Sequence, residues 1–409
     1  MTRFLLRAAF SLGALFALPV LAQGGKDTEG INQGMKKENP SLFLECDAAV
    51  PAEIAAGIRK DLTYSDWFKL VDSGTNANYT VKVKGSGPFE VYLDGRIKSA
   101  FRLDIGGLQG GWRHHGLVDE IITRAFKGNN LMPAYYKPAL CRSRIAFVAN
   151  KGGVKEIYSC DLSGGELQKL TAYGTIATEP NWAPDGNHFV FTAYGRNTTN
   201  VLLRDLSGSP RLLASFPGLN SSPAVSPDGT NIAMVLSKAS QVDIYTMNVS
   251  TKQFKSLTND SNIDSSPTWS PDGKSICYVS STVTANGSKV GRPQLRILNL
   301  TSNKVSTIAN DGVERVGPDW SRDSGLIVYA KKVGGYRLCV FDPKSNTEKI
   351  LTKVEASFEA PSWAPDGRHV VAASGGKLFI IDTHYEKVTP IPLSLGGCNL
   401  PAWSPLVKN

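Results

Sequence analysis

The eight-residue segment SPTWSPDG, residues 266–273, decides the fold because close variants of it recur along the C-terminal part of the chain. The variants are EPNWAPDG from residue 179, SPAVSPDG from 222, GPDWSRDS from 317, APSWAPDG from 360 and LPAWSP from 400. Their first prolines lie 43, 44, 51, 43 and 40 residues apart. A period of about 40–45 residues with strand-like contents indicates the blades of a β-propeller.

Each repeat is expected to fold as one four-stranded sheet. The Pro-Asp-Gly triplet favours a type I turn, with proline at its second and glycine at its fourth position. This turn joins a first strand around Trp269 to a second strand at 276–280. Third strands are expected at 243–248 and 336–342, and a fourth strand at 254–258. One sheet cannot bury both of its faces, whereas sheets stacked around an axis can.

The two ends of the repeat predict how the ring closes. Residues 144–149, 156–161 and 167–171 have the pattern of second, third and fourth strands with no first strand before them. Residues 401–405 have the pattern of a first strand alone. Together they make one complete blade, so we predict a six-bladed β-propeller that is closed by the C-terminal strand.

Two side-chain types recur at fixed positions of the repeat. A large aromatic residue is interpreted as blade-to-blade packing rather than as a ligand cage, because buried aromatics dominate cores. The residues at this repeat position are Trp182, Trp269, Trp320, Trp363 and Trp403, and the remaining repeat has Val225 there. An aspartate is interpreted as a turn residue that satisfies local backbone donors. The aspartates at this repeat position are Asp185, Asp228, Asp272 and Asp366.

A small α/β domain is predicted before the propeller, within residues 41–140. A strand at 41–46 is followed by a helix opened by Pro51, and strands follow at 79–84, 89–92 and 99–103. The Asp94-Gly95 pair between the last two strands is a hairpin signal. A second amphipathic helix surrounds Leu117 and Ala125 and is expected to end at Gly128. The propeller is then assigned to residues 141–409.

The N-terminal residues 1–22 have the pattern of a secretory signal peptide. Arg3 and Arg7 precede an apolar stretch at 12–21 that is short for a membrane span, and Ala22 suits cleavage. The alternative is an N-terminal membrane anchor. Residues 23–40 are polar and lack periodicity, so we expect a flexible tail. This pattern predicts export to the periplasm and a mature chain that is not embedded in a membrane.

Charge and cysteine content exclude some functions. The formal net charge is +9, but the basic residues are scattered, whereas a nucleic-acid-binding protein concentrates them on one face. The spacing of the six cysteines fits neither a metal site nor a redox pair. Cys160, Cys277 and Cys339 lie in strand-like runs and are expected to be buried thiols. The pairing of the cysteines is left open.

No catalytic or cofactor motif is present. The sequence lacks HExxH, GxSxG and a phosphate-binding loop, and the five histidines fall in no recognisable triad. The polar cluster Asn259, Asp260, Asn262 and Asp264 could hold calcium, but it lacks the EF-hand pattern. We therefore expect no catalytic residue, no metal and no cofactor.

Polar residues precede the repeated prolines and are expected at one mouth of the propeller channel, where such proteins commonly carry function. This mixture suits a hydrogen-bonded contact with a protein or peptide. The candidates are Thr178, Glu179, Asn220, Ser222, Asp264, Ser266, Arg315, Ser357 and Glu359. The extra length of the 51-residue repeat falls at 282–292, beside the same mouth.

The order of signal peptide, α/β domain, six blades and a PAWSP ending resembles the TolB family of the Tol-Pal envelope system. The resemblance covers nearly the whole mature chain. IAAGIRKDLTYSDWFKLV at 54–71 is similar to the first helix and following strand of the family. HHGLVDEIITRAFKG at 114–128, followed by SRIAFVAN at 143–150, is similar to its entry into the propeller. The tail at 23–40 and the longer connector at 129–142 depart from the family pattern.

The resemblance implies a monomeric, non-enzymatic periplasmic adaptor that supports outer-membrane integrity and cell division. Members bind the peptidoglycan-associated lipoprotein Pal at the propeller mouth and a TolA-like inner-membrane protein through an N-terminal segment. Carried onto this chain, the Pal contact falls on Asn220, Ser221 and Ser222, on Asp264, Ser265 and Ser266, and on Thr178 and Glu179.

Two other functions stay open. A propeller hydrolase or lyase would need a catalytic domain or a constellation of catalytic residues in the channel. A module that binds wall glycan would need exposed tryptophan or tyrosine in the mouth loops.

Overall fold

The computed structural model describes residues 38–85, 89–94, 99–103, 112–126, 136–137, 139–238, 241–283, 290–309, 311–352 and 356–406. The signal peptide expected at 1–22, most of the tail at 23–40, the hairpin residue Gly95 and the helix-ending Gly128 lie outside these ranges. Within them, no helix is both long and apolar enough to cross a membrane.

The N-terminal region is an α/β domain with one five-stranded sheet in the order β2-β1-β3-β4-β5. Its strands are β1 (Ser41–Cys46), β2 (Lys69–Val71), β3 (Tyr79–Lys84), β4 (Phe89–Asp94) and β5 (Ser99–Leu103). β1 runs parallel to β2 and β3, while β3, β4 and β5 are antiparallel neighbours. The helices are α1 (Ala52–Tyr64) and α2 (Trp112–Phe126). Pro51 is the residue before α1 rather than its first residue, which corrects the expectation by one position.

The two helices lie close together because the chain has a glycine where they meet. A Cβ added at Gly57 of α1 would lie 2.5 Å from the imidazole of His114 on α2. Ile58 on α1 and Ile121 on α2 are fully buried, as their helical spacing predicts.

Residues 145–403 form six four-stranded sheets, which confirms the predicted six-bladed propeller. Five blades are continuous in sequence: β9–β12, β13–β16, β17–β20, β21–β24 and β25–β28. Their inner strands are β9 (Ala177–Trp182), β13 (Asn220–Val225), β17 (Ile263–Trp269), β21 (Arg315–Trp320) and β25 (Glu359–Trp363). The second strands are β10 (His188–Tyr194), β14 (Asn231–Leu236), β18 (Ser275–Ser281), β22 (Ile327–Lys332) and β26 (His369–Ser374).

The outer half of each of these blades consists of two further antiparallel strands. The third strands are β11 (Thr199–Asp205), β15 (Asp243–Asn248), β19 (Gln294–Asn299), β23 (Tyr336–Asp342) and β27 (Lys377–Asp382). The fourth strands are β12 (Arg211–Ala214), β16 (Phe254–Ser256), β20 (Val305–Thr307), β24 (Thr347–Ile350) and β28 (Val388–Pro390).

The sixth blade joins the two ends of the repeat, as predicted. Its order is β29-β6-β7-β8, with β6 (Ile145–Lys151), β7 (Val154–Cys160), β8 (Gln168–Lys169) and β29 (Asn399–Trp403). Trp403 pairs with Ile145 across the junction. Backbone hydrogen bonding continues beyond the strands, since the N–H of Ser404 donates to the Arg144 carbonyl over 2.8 Å.

The repeated tryptophans join neighbouring blades, which agrees with the packing interpretation. Three indole N–H groups donate to carbonyl oxygens on the inner strand of the preceding blade. The pairs are Trp182 with Ala402, Trp269 with Ala224, and Trp363 with Asp319, at 3.0, 3.0 and 3.1 Å. Each bond ties one sheet to the next where the apolar ring is buried.

The repeated aspartates also have the expected turn role. Asp185 Oδ1 accepts from the backbone N–H groups of Asn187 and His188, and the other three aspartates accept equivalent bonds. Gly186 in this turn has a φ of 71°, a left-handed conformation that glycine adopts without strain. We call the end of the propeller that carries these turns the turn end. Cys160, Cys277 and Cys339 are buried free thiols, as expected.

The α/β domain contacts the turn end of the propeller. The N–H of Lys137 donates to the Asp366 carbonyl over 2.9 Å, and the indole of Trp67 donates to the Asp366 carboxylate. On the same blade, Lys387 pairs with Asp66 at 2.6 Å. The opposite end of the propeller therefore lies away from these domain contacts.

Candidate protein-binding site at the propeller mouth

The loops that lead into each inner strand and the turns between second and third strands lie at the end opposite the turn end, which we call the mouth. They are bonded to one another around the ring. The N–H of Arg315 donates to the Pro293 carbonyl over 3.0 Å, and that of Cys398 to the Gly376 carbonyl over 2.9 Å. These bonds make the mouth a continuous rim.

Every inner strand contains a bulge beside its repeated proline. The pairing register with the second strand shifts at this point in all six blades. The residue before each proline has a left-handed backbone, with φ between 46° and 58°; these residues are Glu179, Ser222, Ser266, Gly317, Ala360 and Leu400. Five of the six are not glycine, so the same unfavourable conformation recurs around the axis. Such conformations concentrate at functional sites.

The bulge residues and the prolines after them line the channel. It encloses about 160 Å³ and also contains Asn181. The lining therefore offers a carboxylate, hydroxyl groups and an amide, together with the rigid proline rings.

Glu179 bridges two blades inside this channel. Its Oε2 accepts from the Thr192 hydroxyl and from the Ser222 backbone N–H, both over 2.7 Å. Its Oε1 accepts from the Ser222 hydroxyl over 3.0 Å. The bulge N–H of Ser222 thus already binds a carboxylate, which demonstrates the chemistry that this position favours.

Arg322 crosses the other end of the channel. It occupies the position of the proline in the one turn that departs from Pro-Asp-Gly, and its Nη2 donates to the Trp182 carbonyl over 2.9 Å. The blades of Arg322 and Trp182 lie opposite each other in the ring of six. The guanidinium therefore lies across the channel near the turn end, a role that the sequence analysis missed although SRDS stands out from the repeat.

Three of the candidate residues are almost fully buried, and two of them, Asn220 and Arg315, bind neighbouring loops of the rim. The Asn220 amide bonds both backbone groups of Phe216, and Arg315 binds Asp311 through two parallel bonds at 2.7 and 2.8 Å. Asp264 has no exposed surface. These side chains can shape the mouth loops but are not available for direct contact with a partner.

The remaining candidates reach the surface to different degrees. Glu179, Ser222 and Ser266 line the channel, and Glu359 is exposed at the start of β25. Thr178, Ser221 and Ser265 are 7–8% exposed. Sequence reasoning missed Asn181, Gly317, Ala360 and Leu400 as channel residues. The sequence did contain a signal for three of these four residues, because they stand directly before a repeated proline.

Burial changes the acidity of two candidate carboxyl groups. Desolvation raises the pKa of Asp264 to about 6, and the hydroxyl groups of Ser280 and Thr258 offset only part of this rise. Partial desolvation also raises the pKa of Glu359, although its side chain is exposed. In contrast, the Arg315 side chain holds the pKa of Asp311 well below its usual range.

The histidines lie away from the channel lining. His114 and His115 are on α2, while His188, His369 and His384 are at the turn end. Two groups have metal-like proximity, Asp61 with His114 and His115, and Asp66 with His369 and Asp382. In the first group, His115 Nδ1 lies 2.6 Å from Asp61 Oδ2. In the second group, the guanidinium of Arg368 forms an ion pair with the Asp382 carboxylate at 2.5 Å. In the Asn259–Asp264 cluster, Asp260 pairs with Arg296 at 3.5 Å.

Comparisons with known proteins agree with the propeller fold. Residues 190–407 match the family model described as the TolB beta propeller domain. The "Protein TolB homolog" of Chlorobium chlorochromatii (strain CaD3) is 29% identical over 199 residues, which is 48% of this chain and 44% of that protein. The "Tol-Pal system protein TolB" of Francisella tularensis subsp. tularensis (strain WY96-3418) is 30% identical over 207 residues, covering 49% of this chain and 45% of that protein.

The aligned stretch spans less than half the length of these relatives. A solved structure extends the likeness of fold further. TolB from Acinetobacter baumannii superposes with a TM-score of 0.74 and covers 90% of this chain and 97% of that chain, at 21% identity. This likeness supports the architecture of an α/β domain and a six-bladed propeller. The family match covers more than half of the sequence, and the chain therefore belongs to the TolB β-propeller family.

Proposed function

We propose that the chain is a non-enzymatic periplasmic component of the Tol-Pal system. It binds a Pal-like peptidoglycan-associated lipoprotein at the mouth and engages a TolA-like inner-membrane protein through its N-terminal region. In this role it supports outer-membrane integrity and cell division. Family membership supports the assignment to the system, and the chemistry of the mouth supports the kind of contact.

One observation carries the location of the contact. The α/β domain contacts the turn end, where Trp67 binds Asp366, while the mouth offers six bulges around a polar recess. Loops on a rigid scaffold are where proteins commonly place binding residues. The mouth is thus the end suited to receive a second protein.

The chemistry of the mouth favours binding over catalysis. Among the described residues, Glu179 supplies the only carboxylate that lines the channel. Both of its oxygens already accept hydrogen bonds, from Thr192 and Ser222. General acid–base catalysis needs a group within hydrogen-bond reach of the reacting atom. The five histidines, which would be the commonest such groups, lie on α2 or at the turn end.

Affinity capture tests the proposal. The tagged mature chain is incubated with a detergent extract of the cell envelope, and bound proteins are identified by mass spectrometry. Recovery of a small peptidoglycan-binding lipoprotein is expected. The double variant Ser222→Arg with Ser266→Arg should abolish this recovery, because both side chains line the channel. Long side chains fit these bulge positions, since Glu179 and Leu400 occupy equivalent ones.

The matched control places the same charge at the turn end. Asn187→Arg with Thr230→Arg alters two exposed turn residues and should leave recovery unchanged. If no such lipoprotein is recovered, or if both double variants behave alike, the proposed contact is wrong. Asp264 is unsuitable for this test because a charged replacement there would be buried.

A further inference from the structure

Positively charged side chains recur around the mouth in four of the six blades. In these consecutive blades, the turn between the second and third strands, or the strand end beside it, carries a cation: Lys377, Lys151, Arg196 and Lys238. We call these four residues the basic crescent. Lys377, Lys151 and Arg196 are exposed and form no ion pair with any described acidic residue. The crescent therefore presents positive charge that no acidic residue in the described part of the chain neutralises through an ion pair.

Lys238 is held by aromatic rings instead of by a carboxylate. Its Nζ lies 3.6 Å from the centroid of the Phe216 ring and 5.4 Å from that of Phe254. Such contacts attract a cation to the ring faces without neutralising it. Lys238 therefore adds to the positive potential of the crescent.

The other two blades of the rim carry several paired charges, together with Arg292 and Arg337, which donate to the carbonyls of Gly312 and Ala356. Arg296 contacts Asp260 at 3.5 Å, and Lys332 contacts Glu314 at 3.2 Å. Lys331 pairs with Glu348 on the same blade as Lys332. Paired groups cancel much of one another's field, so the paired cations of these two blades add little to the positive potential of the mouth.

Acidic residues on the crescent side are mostly turned inward. Glu156 accepts from the Thr171 hydroxyl over 2.5 Å and from the Gly174 N–H over 2.8 Å. Glu179 binds the bulge at Ser222. Glu359 is exposed, but it stands at the border with the other two blades.

We propose that the basic crescent recognises an acidic protein segment that lies across the mouth and enters the channel. This inference rests on the proposed function and names the chemistry of the partner at that site. A cationic arc that frames a recess attracts an anionic chain and raises its association rate. A peptide rather than a lipid surface is favoured, because the arc surrounds a recess of about 160 Å³ lined by hydroxyl and amide groups. An anionic bilayer is laterally uniform and has no group that would fill such a recess.

The direct test uses a short fluorescent poly-L-glutamate peptide and the full mature chain. Fluorescence anisotropy is expected to show binding that weakens as salt is raised. The triple variant Lys151→Glu, Arg196→Glu and Lys377→Glu should weaken binding at least tenfold at low salt. The matched control Lys252→Glu, Lys274→Glu and Lys344→Glu makes the same charge change at exposed positions of the turn end and should retain binding.

Position 252 tolerates glutamate, because Glu166 and Glu386 occupy equivalent left-handed turn positions in other blades. Equal losses of peptide affinity in the two triple variants would show that net charge alone causes the effect, and this result would overturn the proposal. So would absence of peptide binding, or binding to phosphatidylglycerol vesicles without binding to the peptide.

Envelope capture separates this inference from the function on which it rests. If the lipoprotein is captured equally by the wild type and the crescent variant, the crescent proposal fails and the proposed function stands. If the crescent binds polyglutamate but no lipoprotein is captured, the function fails alone.

Discussion

The indole Nε1 of Trp67 lies 3.2 Å from Oδ2 of Asp366, and this bond joins the α/β domain to a turn of the propeller. The guanidinium of Arg368 lies 4.5 Å from the Trp67 ring centroid and binds Asp382. His369 Nδ1 lies 2.6 Å from the same Asp366 oxygen. The domain junction is therefore a buried polar network, in which each lost partner leaves another group unsatisfied.

Replacing Trp67 by phenylalanine should weaken this junction. A smaller aromatic ring stays, and Asp366 loses a donor in a fully buried setting, so the free energy of unfolding should fall by about 1.5–3 kcal/mol from the lost bond, with a further loss from reduced packing. Urea unfolding followed by circular dichroism measures the change. Tyr92→Phe is the control, because its hydroxyl bonds Glu90 on the exposed side of the sheet and should matter by less than about 0.5 kcal/mol. Equal effects of the two variants would count against a junction role for Trp67.

The closing strand provides a second prediction. Trp403 is 6% exposed and donates through Nε1 to the Ser143 hydroxyl over 2.7 Å. Trp403→Ala should therefore lower the free energy of unfolding by about 3–5 kcal/mol, and removal of residues 399–409 should lower the melting temperature further. Differential scanning calorimetry checks both variants. Removal of residues 407–409 alone spares β29 and serves as the control. An unchanged melting curve after loss of β29 would contradict closure.

The bulge conformation provides a third prediction at Gly317, where φ is 58°. A Cβ at this position would meet only Ala360 and Pro361, at 3.7–3.8 Å, so space is available and backbone strain alone opposes it. Gly317→Ala should lower stability by about 1–2 kcal/mol in urea unfolding. Gly335→Ala has similar space and no left-handed φ, so it should change stability less. If Gly335→Ala costs as much as Gly317→Ala, the bulge is not the cause.

Local patterns in the sequence were sufficient for the propeller. The Pro-Asp-Gly turns and the unpaired strands at both ends of the repeat predicted six blades and a blade shared by the two ends, because each blade depends on short-range turn chemistry; the register that pairs Trp403 with Ile145 came only with the structure. The sequence could not predict that Asp366, one of four similar turn aspartates, is buried beneath the α/β domain. That difference arises from Trp67, which is remote in the chain.

The candidate site was predictable in position but not in exposure. Residues before the repeated prolines do line the channel, as Ser222 and Ser266 show. Asn220 and Arg315 were expected at the same rim, yet each turns inward to bind a neighbouring loop, through Phe216 and Asp311. The alternation of side chains between the two faces of a strand cannot reveal this inward orientation, because the bulge shifts the pairing register where these residues lie.

The buried carboxyl of Asp264 makes the stability of the propeller depend on pH. Burial raises the folded-state pKa to about 6, whereas an aspartate in the unfolded chain titrates near about 3.9. The folded chain thus retains a proton that the unfolded chain has lost. The stabilisation from the neutral form is fully present below about pH 4 and is lost as the pH rises through about 6.

Asp264→Asn should therefore match the wild type at pH 4 and be more stable at pH 8, by on the order of 2 kcal/mol. Urea unfolding at both pH values measures the difference. Asp272→Asn should respond in the opposite sense, because the Ser270 hydroxyl and the Lys274 N–H lower the pKa of Asp272. The stabilisation by ionised Asp272 is present above the pKa that the group has in the unfolded chain, and it is lost as the pH falls. The Asp272→Asn variant should therefore be less stable than the wild type at pH 8. If the Asp264→Asn variant gains no stability over the wild type between pH 4 and pH 8, then Asp264 is ionised without penalty, and the contacts with Ser280 and Thr258 offset its desolvation in full.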